Sequence, residues 1–124
     1  MKDLKIEATY KSPLVELNRN GQMAIRGRSI PENSMGFYQP IFNWIEEYGT
    51  RPSEKTTLNV MLEYINTSSS KCILDMLKGF EKIKRQGHEV SVMWHYKEED
   101  FEMLEAGQDY GTIINVDFSF IEER

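Results

Sequence analysis

One segment in the middle of the chain restricts the fold more than any other. Residues 56–65 alternate in the manner of a β-strand, residues from Ile73 to Ile83 place apolar side chains at helical spacing, and residues 89–96 alternate again. A strand, a helix and a strand in direct succession form a βαβ unit, in which the two strands run parallel with a right-handed crossover. Because both faces of residues 56–65 carry apolar side chains, we expect this strand to be central in its sheet.

The N-terminal part of the chain predicts antiparallel pairing. Residues 3–9 and 15–17 alternate in polarity, and Met23 and Ile25 resume the alternation after Asn18-Arg19-Asn20-Gly21. Asn and Gly tolerate the backbone angles of a tight turn. We therefore expect an antiparallel region over residues 3–27, with a hairpin turn at residues 18–21.

A second helix is predicted over residues 35–48. It carries apolar side chains at helical spacing and follows the segment Pro31-Glu32-Asn33-Ser34, in which Asn33 or Ser34 is the expected N-cap. Pro40 lies inside the pattern and predicts a kink if it falls beyond the first turn.

The C-terminal part predicts a short acidic helix over residues 98–106, then a turn bracketed by Gly107 and Gly111, then a strand from Ile114 to Phe120. Together the elements predict an α/β sandwich in one domain, residues 1–124. It combines a mixed β-sheet of about five or six strands with two longer helices and one short helix on one main face.

Charge and composition exclude several classes of function. Lys and Arg number 15 and Asp and Glu number 20, a net charge of −5 that argues against a nucleic acid or an anionic membrane as partner. The single cysteine, Cys72, cannot form an internal disulfide, and no apolar run is long enough for a membrane span or a signal peptide. We therefore predict a cytoplasmic protein.

No residue pattern predicts catalysis or a metal site. Cys72, His88 and His95 lack the spacing of zinc ligands, and no nucleophile elbow or phosphate-binding loop is present. Cys72 lies on an amphipathic helix, where a free cysteine is most often a small buried side chain. We expect no metal and no cofactor.

The segment Asn66-Thr67-Ser68-Ser69-Ser70 carries four hydroxyl residues between a strand and a helix. One such residue suffices for an N-cap, so a plain cap is one interpretation. The other is phosphorylation of Thr67 or Ser68, where the helix dipole would stabilise a phosphate of about −1.5 to −2 charges. The residues alone leave both open.

Three blocks in order resemble the SiaC family of bacterial regulatory phosphoproteins: residues 31–34, residues 64–69 and Trp94-His95-Tyr96. The resemblance implies a fold similar to the STAS domain of anti-sigma-factor antagonists, and an adaptor rather than an enzyme. It implies a threonine phosphorylated by a partner kinase and dephosphorylated by a PP2C-type phosphatase. It also implies that the unphosphorylated form binds and activates a diguanylate cyclase, raising cyclic di-GMP and promoting biofilm.

Carried onto this chain, the resemblance assigns the phosphoacceptor to Thr67, with Ser68 as second choice. Glu32, Asn33 and Ser34 either shape the loop beside the switch or only cap the helix. The predicted switch region also includes Asn66, Ser68 and Ser69. The first 28 residues and residues 97–111 carry no matching motif, and the output enzyme need not be a diguanylate cyclase.

Two other classes of function remain open at this point. An aromatic set near a sheet end favours a small-ligand-binding or enzymatic α/β domain; its members are Trp44, Tyr64, Trp94 and Tyr96. A structural homo-oligomer, such as a homodimer, built on an edge strand in the hairpin near Met23 is the third interpretation.

Overall fold

The computed structural model describes residues 1–124 and contains six strands and three helices. The strands are β1 (Leu4–Ile6), β2 (Leu14–Leu17), β3 (Gln22–Ser29), β4 (Lys55–Ile65), β5 (Glu89–Lys97) and β6 (Asp117–Glu123). The helices are α1 (Ser34–Tyr48), α2 (Thr67–Arg85) and α3 (Phe101–Ile113). This set of strands and helices confirms the predicted α/β class, and the strand pairing described next confirms the predicted mixed sheet.

The strands form one sheet in the order β1-β2-β3-β4-β5-β6. The pairs β1–β2 and β2–β3 are antiparallel, and β3–β4, β4–β5 and β5–β6 are parallel. The hairpin turn at residues 18–21 and the βαβ unit are both confirmed. Gly21 closes the turn with a φ of +96°, and a Cβ there would collide with the carbonyl oxygen of Lys55.

The core lies between one face of the sheet and the three helices. Alternate side chains of the central strands are buried, as with Leu58 and Val60 of β4, while their neighbours on the opposite face are half-buried. Tyr48 of α1 hydrogen-bonds Thr56, and Trp94 packs against α3 on the same face. A stripe of apolar residues along α2 completes this core: Cys72, Ile73, Met76, Leu77, Phe80 and Ile83.

The third helix is longer than the sequence pattern predicts. The expected turn between Gly107 and Gly111 is wrong, because α3 continues through both glycines to Ile113. A Cβ at Gly107 would lie 2.5 Å from the indole ring of Trp94, so the glycine allows α3 to pack closely on β5. The last strand accordingly starts at Asp117, and Ile114 is buried before it as the C-cap of α3.

The first helix starts at Ser34 and is capped by Asn33, whose side-chain oxygen accepts a hydrogen bond from the Gly36 amide. It runs through Pro40, its seventh residue, whose side chain is exposed. No helix in the chain combines the length and the apolar character that crossing a membrane requires.

The prediction of an edge strand near Met23 is wrong. Met23 lies in β3, which is paired on both sides and whose Met23 side chain is 2% exposed. The edges of the sheet are β1 and β6. A homodimer would therefore have to form through a surface other than the strand that contains Met23.

Candidate functional site

The carboxyl ends of two neighbouring parallel strands and the first turns of two helices meet at one place. Ser29 ends β3 and pairs in register with Ile65, which ends β4. The Asn66 amide donates to the Ser29 carbonyl oxygen at 2.9 Å, so the strand ladder continues into the start of α2. The carboxyl edge of a parallel sheet is where α/β folds most often place ligand and modification sites.

Asn66 is the N-cap of α2. Its side-chain oxygen accepts a hydrogen bond from the Ser69 amide at 2.9 Å, which satisfies one of the unpaired donors of the first turn. Its side-chain nitrogen donates to the Pro31 carbonyl oxygen at 3.4 Å. The cap of α2 is therefore also tied to the segment that precedes α1. Because Asn66 caps the helix, the four hydroxyl residues that follow are not needed for that purpose.

Three buried hydroxyl groups form the inner part of a hydrogen-bonded chain. The Ser29 hydroxyl lies 2.7 Å from the Tyr38 hydroxyl and donates to the Ser69 hydroxyl at 2.8 Å. All three residues are 0% exposed. Burial raises the pKa of Tyr38 well above its ordinary value, and the hydrogen bond to Ser29 only partly opposes that shift. Tyr38 is therefore a neutral hydroxyl in the folded protein.

The chain continues outward to the surface through Ser34. Its hydroxyl lies 3.4 Å from that of Ser69 and 2.7 Å from that of Ser68. Ser68 in turn donates to the side-chain oxygen of Asn66 at 3.3 Å. Ser34 is 5% exposed, whereas Ser68 is at the surface. This series of hydrogen-bonded hydroxyl groups thus links the core to the first turn of α2.

Ser70 faces the other way, toward α3. Its hydroxyl lies 3.0 Å from the Tyr110 hydroxyl, which donates to the Ser70 carbonyl oxygen at 2.8 Å. Burial raises the pKa of Tyr110, so this phenol is also neutral. The contact fixes the first turn of α2 against α3.

Thr67 differs from the three serines that follow it. It is the first residue of α2, its side chain is exposed, and its hydroxyl makes no hydrogen bond within the chain. The hydroxyls of the three serines are all engaged, as described above. Thr67 borders a shallow groove between α2 and α3 that also contains Lys71 and Asp109.

The three residues before and at the start of α1 make different contacts. Asn33 caps α1 and does not reach Thr67 or Ser68. Ser34 is the residue that reaches the start of α2. Glu32 is exposed and forms an ion pair with Lys11 at 3.1 Å.

The aromatic set that favoured a ligand site is not brought together. Trp44 and Trp94 are buried, and each indole N–H donates to a different backbone carbonyl, that of Lys2 and that of Met103. Tyr64 is 55% exposed and Tyr96 is half-buried. The two tryptophans therefore pack in the core rather than lining a shared cavity.

Two of the residues considered for nucleophilic or metal chemistry, Cys72 and His95, have structural partners. Cys72 is buried, with its sulfur 3.7 Å from that of Met35, and burial raises the pKa of its thiol, which disfavours the reactive thiolate. The two ring nitrogens of His95 lie 3.0 Å from Glu123 and 3.0 Å from Asn59 on the open face of the sheet.

Sequence reasoning missed three residues of this site, Ser29, Tyr38 and Tyr110, and it gave Ser70 no role beyond its place in the hydroxyl run. Tyr38 lies on the buried face of α1, and its hydroxyl begins the hydrogen-bonded series. No local pattern in a single sequence marks hydroxyl groups that meet across 9 or 40 positions.

Comparison with known proteins agrees with the fold and with the resemblance to the SiaC family. The family model described as SiaC family regulatory phosphoprotein matches residues 6–123. An uncharacterized protein of Pseudomonas aeruginosa strain UCBPP-PA14 is 32% identical over 114 residues, which cover 89% of this chain and 88% of that protein.

Solved structures give the same result. SiaC of Pseudomonas aeruginosa superposes with a TM-score of 0.90 at 27% identity, over 99% of this chain and 100% of that one. A chain in the crystal structure of the diguanylate cyclase SiaD in complex with its activator SiaC, from the same organism, superposes with a TM-score of 0.91 at 27% identity, over 98% and 100%. The match extends over nearly the whole chain, and the chain therefore belongs to the SiaC family of regulatory phosphoproteins.

Proposed function

We propose that this chain is a signalling adaptor whose state is set by reversible phosphorylation of Thr67. A partner kinase adds the phosphate and a PP2C-type phosphatase removes it. The unphosphorylated form binds and activates an output enzyme, such as a diguanylate cyclase, and so raises cyclic di-GMP and promotes biofilm. The chain performs no chemistry of its own in this scheme.

One observation carries the choice of Thr67. Of the four consecutive hydroxyl residues in the first turn of α2, only Thr67 combines exposure with a hydroxyl free of hydrogen bonds within the chain. Its modification therefore breaks no internal contact. A phosphate there would lie at the positive end of the α2 dipole, one turn before Lys71, and both favour a charge of about −2.

The surroundings of Thr67 support a protein partner. Ile113, 57% exposed, lines the same groove as Thr67. Two more large apolar side chains, Tyr64 and Met35, are exposed to 55% and 54% at the end of β4 and in the first turn of α1. Exposed aromatic and methionine side chains are enriched at protein interfaces. A phosphate placed beside such a surface must be desolvated or repelled when a partner binds, which supports release on phosphorylation. The similarity to SiaC, an activator of the diguanylate cyclase SiaD, supports an output enzyme of that class.

The test is phosphate incorporation from ATP and Mg²⁺ with the cognate kinase. Wild type should gain one phosphate at Thr67, and Thr67→Ala should gain none. Ser70→Ala is the matched control, because it removes a hydroxyl from the same helical turn and should be labelled as wild type. Equal labelling of Thr67→Ala and wild type would contradict the assignment.

A further inference from the structure

The hydrogen-bonded hydroxyl chain has a single possible direction. Each hydroxyl has one proton to donate. Ser29 donates to Ser69, so Tyr38 must donate to Ser29. At the other end Ser68 donates to Asn66, so Ser34 must donate to Ser68. Because the Ser34 proton is then committed, Ser69 donates to Ser34. The hydroxyl groups therefore donate in one direction, from the Tyr38 phenol to the side-chain amide oxygen of Asn66.

This direction leaves the Ser68 hydroxyl engaged on both sides. It accepts from Ser34 at 2.7 Å and donates to Asn66 at 3.3 Å. The hydroxyl of Thr67, the preceding residue in the sequence, neither accepts nor donates a hydrogen bond within the protein. Sequence position alone does not distinguish the two residues as acceptors, since both are exposed in the first turn of α2.

We propose that Ser34 determines the specificity of the switch, by holding Ser68 in this chain so that phosphate is transferred to Thr67 only. The inference rests on the proposed phosphorylation of Thr67 and deepens it. Ser34 touches neither ATP nor the phosphoacceptor oxygen of Thr67, so it acts as a positioning residue.

The energetics of phosphoryl transfer give the reason. A bond forms between the acceptor oxygen and the γ-phosphorus of ATP, the bond from that phosphorus to the β–γ bridging oxygen breaks, ADP leaves, and the hydroxyl proton passes to a base of the kinase. At Ser68 the proton is first withdrawn from Asn66, and the oxygen must leave the Ser34 hydroxyl. Ser34 is 5% exposed and Ser69 is fully buried, so one of their two hydroxyl donors would then be left without a partner. At Thr67 no such contact is lost.

The test maps phosphate by mass spectrometry at early, fixed times of labelling with the cognate kinase, ATP and Mg²⁺, so that the initial rate at each site is compared. Wild type should carry phosphate on Thr67 alone, and Thr67→Ala should carry essentially none on Ser68. The double variant Ser34→Ala/Thr67→Ala should show about tenfold more phosphate on Ser68 than Thr67→Ala, because one hydrogen bond that restrains Ser68 is gone. Ser70→Ala/Thr67→Ala is the matched control and should resemble Thr67→Ala.

Ser34→Thr/Thr67→Ala keeps a hydroxyl at position 34 and should restore the low labelling of Ser68. A merely structural role of Ser34 would change the melting temperature but not the position of the phosphate. If Ser34→Ala fails to fold, the wild-type map still decides, because phosphate on both Thr67 and Ser68 would overturn the inference. Equal Ser68 labelling with and without the Ser34 hydroxyl would also overturn it. Absence of phosphate from Thr67 in wild type would overturn the proposed function as well.

Discussion

The Ser29 hydroxyl donates a hydrogen bond to the Ser69 hydroxyl at 2.8 Å, and both residues are 0% exposed. This contact joins the end of β3 to the first turn of α2 across 40 positions of sequence. Removal of the Ser69 hydroxyl would leave the buried Ser29 donor without an acceptor. Unsatisfied buried donors are costly because they have lost water and gained nothing in return.

Ser69→Ala should therefore lower the free energy of unfolding by about 1–3 kcal/mol, measured by urea denaturation. Thr67→Ala is the control, since its hydroxyl is exposed and unbonded, and it should change stability by no more than about 0.5 kcal/mol. A Ser69→Ala variant as stable as Thr67→Ala would show that the hydroxyl chain does not contribute to stability.

The two glycines of α3 provide a second pair of matched variants. A Cβ at Gly107 would lie 2.5 Å from the Trp94 ring, which is 0% exposed, whereas a Cβ at Gly111 would meet Phe118 at an ordinary 3.6 Å. Gly107→Ala should destabilise the protein by about 1–3 kcal/mol through overpacking. Gly111→Ala should stabilise it by up to about 1 kcal/mol, because alanine favours the helix. Thermal melts of both should shift in opposite directions, and a shift in the same direction would contradict the packing described.

The same glycines show where prediction from sequence reached its limit. The strands and α2 were predicted because alternation and helical spacing record which side chains face the core. The end of α3 was not predicted, because glycine is a poor helix former. Only the packing of Trp94 against Gly107 explains why a glycine stands inside this helix. The packing of α3 against Trp94 therefore outweighs the low helix propensity of glycine at this position.

The candidate site divides in a similar way. Its position at the start of α2 follows from the hydroxyl run, and Asn33 was one of the two caps expected for α1. The bond between Ser34 and Ser68 could not be predicted, because it depends on two helix starts meeting in space. Ser29 lies at the end of a strand and carried no signal of its own.

Stability should depend on alkaline pH through Tyr38. Its pKa is raised in the folded protein by burial, while an unfolded tyrosine ionises near pH 10. Above about pH 10 the folded state then binds more protons than the unfolded state, so the free energy of unfolding falls as pH rises. Tyr110 contributes in the same direction. Urea unfolding from about pH 9 to about pH 11 should show a steeper decline for wild type than for Tyr38→Phe, and equal slopes would contradict a buried neutral phenol at Tyr38.

The central claim is that phosphate on Thr67 controls partner binding. Its most direct test is the Kd of a diguanylate cyclase partner for purified unphosphorylated protein and for protein phosphorylated at Thr67, measured by isothermal titration calorimetry. Thr67→Val, which keeps the shape but not the acceptor, should bind as the unphosphorylated wild type before and after kinase treatment. We expect phosphorylation of wild type to weaken binding by about tenfold or more, because about two negative charges are added beside the exposed apolar side chains. Equal Kd values for the two forms would contradict the switch.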